Sequence, residues 1–100
     1  MRQRCYITLG AGTEAGGKVV TASSVITLDG LPRALEGDLV DCPACGTEGK
    51  IACAGARLAA SENGRMPALD GDLCMCACAP APRLVASQAR WRQWVSEGAA

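Results

Sequence analysis

Residues 29–42 can be laid over residues 63–76 without a gap, and 7 of the 14 aligned positions are identical. Gly30 falls on Gly64, Ala34 on Ala68, Leu35 on Leu69, Gly37 on Gly71, Asp38 on Asp72, Leu39 on Leu73 and Cys42 on Cys76, at an offset of 34. A match this dense marks duplication of one structural unit, whose copies bury their apolar faces against each other. The plainer reading is that the same paired turns build two similar hairpins.

Within the unit the chemistry is that of a β-arch. Asp29-Gly30 and Asn63-Gly64 are tight-turn dipeptides, because Gly and Asn accept positive φ. Each is followed by a short extended stretch and a second turn, Glu36-Gly37-Asp38 or Asp70-Gly71-Asp72, and then a strand through Leu39-Val40 or Leu73-Cys74-Met75. Pro32 and Pro67, between the turns, discourage a helix. Upstream, Lys18-Val19-Val20-Thr21 and Ser24-Val25-Ile26-Thr27-Leu28 are β-branched runs bounded by turn residues, which predicts strands. Ile7-Thr8-Leu9 is a weaker one. The fold class is mostly β.

One hundred residues make one domain. Although 49% of them are apolar, there is no Phe, 1 Tyr and 2 Trp. Large rings normally supply much of a core, so this core must be thin and built from small side chains. Such a chain needs a staple beyond apolar packing. Ten basic residues balance ten acidic ones, and the charges are scattered apart from Arg90 and Arg92. That argues against a nucleic-acid partner, which calls for a concentrated basic surface. No apolar run approaches a membrane span. The stretch after Met1-Arg2-Gln3-Arg4 is too polar and Gly-rich for a signal-peptide core, which places the chain initially in the cytoplasm. In that reducing compartment seven cysteines read as metal ligands before disulfides.

Cys42-Pro43-Ala44-Cys45-Gly46 is a Cys-x-x-Cys knuckle, whose two thiolates can reach one tetrahedral zinc. The second half of a site is sought in Cys74-Met75-Cys76-Ala77-Cys78. Alternate residues of a strand share a face, so these three sulfurs are expected to point the same way. The repeat places Cys76 where Cys42 lies in the first unit. With no His in the chain, zinc must be held by sulfur. The predicted ligands are Cys42, Cys45, Cys76 and Cys78, with Cys74 as the substitute. Cys53 and Cys5 are expected to be buried or free thiols. A closed four-thiolate site is structural, with no position for substrate. Disulfides formed after export, and a rubredoxin-type iron, are the alternatives.

Little supports catalysis, and the chain is not expected to be an enzyme. Asp38/Asp72 and Glu36/Asp70 lie in repeated turns, where Asp commonly bonds its own backbone. Gly10-Ala11-Gly12 lacks the third Gly and the helix of a dinucleotide loop. A cysteine nucleophile without His lacks its usual base. A boundary after Pro80-Ala81-Pro82 divides a β domain at 1–82 from a tail at 83–100. There Trp91 and Trp94, three apart, would share a face of a short helix. They either pack back onto the body or dock a partner.

The pattern x-Gly-x-x-x-Ala-x-x-Gly-Asp-x-x-x-Cys, present twice and followed once by Cys-Pro-x-x-Gly, resembles the PAAR-repeat proteins. The stretches matching the name-giving Pro-Ala-Ala-Arg are Pro32-Arg33-Ala34-Leu35 and Pro67-Ala68-Leu69-Asp70. Gly16-Gly17 before Val19-Val20 is similar to the family's first strand, so the resemblance spans residues 7–79. It implies a cone of short strands with pseudo-threefold character. The base of that cone docks on the trimeric valine-glycine-repeat spike of a type VI secretion system, and its point carries zinc. A bare tip, or an adaptor recruiting a separate effector, is implied, exported by the secretion apparatus when it fires. The family usually holds its metal with histidines. Here Ala15 stands at the His before Gly-Gly and Cys45 at the His after Cys-Pro, which implies a site rebuilt from cysteines. The runner-up is a zinc-ribbon-like module for nucleic acid or protein, suggested by the Cys-Pro-x-Cys-Gly knuckle. A disulfide-stapled secreted toxin is a weaker third reading.

Overall fold

The computed structural model describes residues 2–55, 57, 61–62 and 64–95. Asn63 of the second turn dipeptide and residues 96–100 of the tail lie outside them. Among the described residues ten short strands run in chain order. They are β1 (Arg2–Cys5), β2 (Gly12–Thr13), β3 (Lys18–Val19), β4 (Thr27–Leu28), β5 (Leu31–Pro32), β6 (Leu39–Cys42), β7 (Thr47–Ala52), β8 (Leu73–Met75), β9 (Leu84–Val85) and β10 (Arg92–Val95). Six of them form one sheet in the order β8-β7-β6-β3-β2-β9. Its two ends approach each other: Cys74 N donates to Pro82 O at 2.8 Å and Leu84 N to Asp72 O at 2.7 Å. The sheet is therefore nearly a closed barrel.

The repeat has a third copy. Ile7 N donates to Ala68 O (3.0 Å), Ala68 N to Ala34 O (3.0 Å) and Ala34 N to Ile7 O (2.8 Å), so three equivalent residues close a ring of backbone hydrogen bonds. Three bridges repeat the cycle one residue to either side: Tyr6 with Leu69, Arg33 with Thr8, and Pro67 with Leu35. Each copy then turns through a glycine in the left-handed region, Gly10, Gly37 or Gly71, at φ of 87°, 87° and 84°. That conformation costs glycine little because it has no Cβ. After the turn, Ala11, Asp38 and Asp72 accept at their carbonyls from Val19, Ile51 and Leu84. The first copy, residues 2–15, shares only Gly10 with residues 29–42 at an offset of 27. This explains why sequence shows two units and the structure three.

This frame accounts for the small-residue composition. Ile7, Ala34 and Ala68 are fully buried where three backbones meet, and a ring side chain there would force the backbones apart. Val19, Val40, Ile51 and Leu84 surround them. The repeated Gly-Asp also finds its reason. Asp38 Oδ2 accepts from Leu35 N at 2.7 Å and Asp72 Oδ2 from Leu69 N at 2.8 Å, so each carboxylate braces its own arch.

Both buried carboxylates are matched by arginines from equivalent places. Arg4 donates to Asp72 at 3.0 Å and to Asp70 O at 2.7 Å. Arg65 lies 3.2 Å from Asp38 and donates to Glu36 O at 2.7 Å. Arg57 also donates to Asp72. Arg4 and Asp72 are 1% and 0% exposed. At such burial a lone charge costs far more than a satisfied pair. Asp38 further accepts from Ser23 N, Ser23 Oγ and Thr21 Oγ1. Burial pushes its carboxyl up, but the bonds from Ser23, Leu35 and Thr21 together hold it below the usual carboxylate range.

The tail departs from expectation. Among the described residues there is no helix, and Trp94 lies in β10, which pairs antiparallel with β1 from Arg2↔Val95 to Cys5↔Arg92. Gln93 and Val95 point inward and alternate with exposed Arg92 and Trp94, a period of two that fits a strand and not a helix. Trp91 and Trp94 remain 40% and 53% exposed, so they do not supply the missing core rings. β9 pairs with β2. Ile7-Thr8-Leu9 forms bridges and not a strand, and the run at 24–28 shortens to β4.

Asp72→Asn should cost about 3–5 kcal/mol in urea unfolding, because it removes the carboxylate that faces buried Arg4. Exposed Asp41→Asn should stay within about 0.5 kcal/mol. Asp38 has a folded pKa below its unfolded one, so its contribution is complete above about pH 4. That contribution is lost as pH falls through the folded value. Asp38→Asn should therefore lower stability at neutral pH and flatten the acid limb of a stability–pH curve.

Candidate metal centre

β6 delivers Cys42 at its end, fully buried. The register pairs Cys42 with Thr47 across β6 and β7, so Pro43-Ala44-Cys45-Gly46 is the loop of that hairpin. Cys45 N donates to Cys42 O at 3.4 Å, and Gly46 takes φ of 68°. The loop thus turns the Cys45 sulfur back over the barrel end. β8 stops at Met75, and Cys76 and Cys78 follow outside the strand. Strand alternation thus ends before Cys76, and of the three sulfurs expected to point the same way those of Cys76 and Cys78 join the cluster. Cys74 turns into the core, fully buried.

The Sγ atoms of Cys42, Cys45, Cys76 and Cys78 all lie within 4.8 Å of one another. Cys42 Sγ is 3.4 Å from Cys76 Sγ and 3.7 Å from Cys78 Sγ. Four sulfurs about 2.3 Å from a tetrahedral ion stand about 3.8 Å apart. The two separations from Cys42 are close to that value, and the four cysteines could bind a metal.

The protonation of the cluster points the same way. Cys45 is drawn down to about 6, first by its 3.0 Å hydrogen bond with Thr47 Oγ1. Cys42 is raised by the adjoining Cys76 thiol and by burial. Cys78 is pushed up to about 12 by its hydrogen bonds with Cys45 and Cys42. One thiol ionises readily while neighbours resist, as crowded like charges must without a cation. Burial also lifts Cys74 to about 12. Cys53, half-buried beside Asp72, is raised by burial to about 11, and burial raises Cys5 as well. Neither belongs to the four-sulfur set.

The threefold frame places Ala15, Cys42 and Cys76 at equivalent positions, four residues after Ala11, Asp38 and Asp72. Two copies thus bring a sulfur and the third brings a methyl. Gly49 is a close-packed position beside the cluster that the sequence reading missed. A Cβ there would stand 2.8 Å from Cys74 Sγ, 2.8 Å from Met75 O and 3.0 Å from Cys76 Cβ. Gly17 is under the same constraint, with Asp41 O at 2.5 Å from a Cβ. The two glycines sit two residues before Val19 and Ile51, a spacing recognisable only once the third copy is known.

A family model for the PAAR motif matches residues 9–81 of the 100. Comparison with curated proteins and with solved structures returns no significant match.

Gly49→Ala should cost about 1–3 kcal/mol by denaturant unfolding, since backbone and core must give way together. It should also weaken metal uptake, because Cys76 is one of the atoms displaced. Uptake unchanged at a lowered stability would show that the glycine serves packing alone.

Proposed function

The chain belongs to the PAAR-motif family, a family of type VI secretion spike tips, and from that premise we propose that it caps the trimeric valine-glycine-repeat spike as a zinc-stapled point. The observation that carries the reading is the closed ring through Ile7, Ala68 and Ala34. One chain that repeats its fold three times about an axis presents three similar faces to a three-chain partner, so a single tip can seat on a trimer. The four clustered sulfurs support the second half of the reading. Cys42 and Cys45 belong to the β6–β7 hairpin, while Cys76 and Cys78 follow β8, so one ion bound by all four would tie two copies together.

In this role the metal is structural. Cys42, Cys45, Cys76 and Cys78 would hold it, and four thiolates leave no open position for chemistry. The ion would supply crosslinking energy that a core without large rings lacks. A stiff apex matters to a point driven through a membrane, because force reaches strand ends that few apolar contacts secure. The chain would start in the cytoplasm, where thiolates stay reduced, and leave with the spike on firing. Recruitment of a separate effector belongs to the same proposal, with spike, tip and effector as one assembly. Nothing in the role calls for catalysis.

Purified protein should carry one zinc per chain by elemental analysis. Cys42→Ser and Cys76→Ser should each lose more than about 2 kcal/mol and the metal, whereas Cys5→Ser should retain both. Mixed with its trimeric spike protein, the chain should co-migrate at one copy per trimer in size-exclusion chromatography with light scattering. A persistent absence of association would remove the tip reading and leave the metal centre standing.

A further inference from the structure

The apex cysteines are placed for a second covalent state. Cys42 Sγ has Cys76 Sγ as a neighbour at 3.4 Å and Cys78 Sγ at 3.7 Å. Pairing Cys42 with the nearer sulfur leaves Cys45 with Cys78, whose sulfurs lie within 4.8 Å of each other. A disulfide needs sulfurs about 2.05 Å apart, so the Cys42–Cys76 pair has only about 1.4 Å to close. Both pairs join the β6–β7 hairpin to the segment after β8, the same two segments that the metal would join.

We propose that the apex is an oxidative modification site: when no metal holds them, the four cysteines close two disulfides, Cys42–Cys76 and Cys45–Cys78. The co-reactant is a small-molecule disulfide such as oxidised glutathione. One thiolate attacks its S–S bond, forming a mixed disulfide and releasing one glutathione thiolate. The partner thiolate then attacks the mixed disulfide, forms the protein S–S bond and releases the second glutathione. Each cross-link oxidises two cysteine thiols and reduces one glutathione disulfide, and the two cysteine protons end on the two glutathione thiols. The pairing deepens the proposed role of the apex and rests on it only for the protection that bound metal gives. Cytoplasmic protein would keep its staple as a metal thiolate, and exported protein that lost the metal would keep it as disulfides.

The test uses the full chain, zinc-loaded and chelator-stripped, incubated with oxidised glutathione and read by intact mass and peptide mapping. Stripped protein should become lighter by four hydrogens and map as Cys42–Cys76 with Cys45–Cys78, while loaded protein keeps its mass over the same interval. Cys74→Ala should leave both cross-links in place. Should stripping loosen the fold, hydrogen peroxide added to the loaded protein should release zinc and yield the same two cross-links, with water as the product. Stable glutathione adducts, the opposite pairing, or cross-links drawing in Cys5, Cys53 or Cys74 would overturn the proposal. A chain that takes up no zinc but forms the two stated cross-links would support it while removing the metal reading.

Discussion

Three backbone hydrogen bonds, running from Ile7 to Ala68, from Ala68 to Ala34 and from Ala34 to Ile7, set the terms for everything around them. A ring of main-chain bonds closes only if three strands meet at hydrogen-bonding distance, and that leaves room on the axis for alanine or one isoleucine. With so little volume at the centre, stability must come from elsewhere: from arches braced by their own aspartates and from buried ion pairs. Each arch can turn sharply because a glycine at positive φ follows the ring by three residues.

The three copies are alike in backbone and unlike in what they carry. Two of them seat a buried aspartate, Asp38 or Asp72, against an arginine from an equivalent position, Arg65 or Arg4. In the remaining place the aspartate is Ala11 and the arginine is Leu31. Both members are replaced together, as expected when either charge alone would be buried without its partner. The apex breaks symmetry in the same direction, with Ala15 opposite Cys42 and Cys76. The sulfurs that complete the set, Cys45 and Cys78, come from chain just beyond those two cysteines. The copy without the aspartate is thus also the copy without a clustered cysteine.

Much of this was legible in the sequence. The gapless repeat showed the arches, Gly-Asp marked their turns, and the pairing of Cys42 with Cys76 followed from the offset. Resemblance to PAAR-repeat proteins supplied the threefold character. What stayed hidden was hidden for physical reasons. Of the seven positions shared by the other two copies, the copy at residues 2–15 keeps only Gly10, because backbone bonds, which any residue can make, hold the ring together. The tail read as a helix because Trp91 and Trp94 are three apart; the inward positions are Gln93 and Val95, and a buried Gln blurs the strand period. Cys74 stood as the substitute ligand because an unbroken strand would set it on one face with Cys76, and the strand ends at Met75. Arg4 read as part of a basic terminus, yet it is among the most buried side chains in the fold.

The link from fold to role runs through the four sulfurs, because a point without a large core needs its strand ends fastened. The most direct measurement is X-ray absorption at the zinc edge on protein purified without added metal. The account predicts one shell of four sulfurs at about 2.3 Å, which Cys42→Ser should reduce. A spectrum dominated by nitrogen or oxygen neighbours, or no zinc signal from protein of undiminished stability, would contradict it.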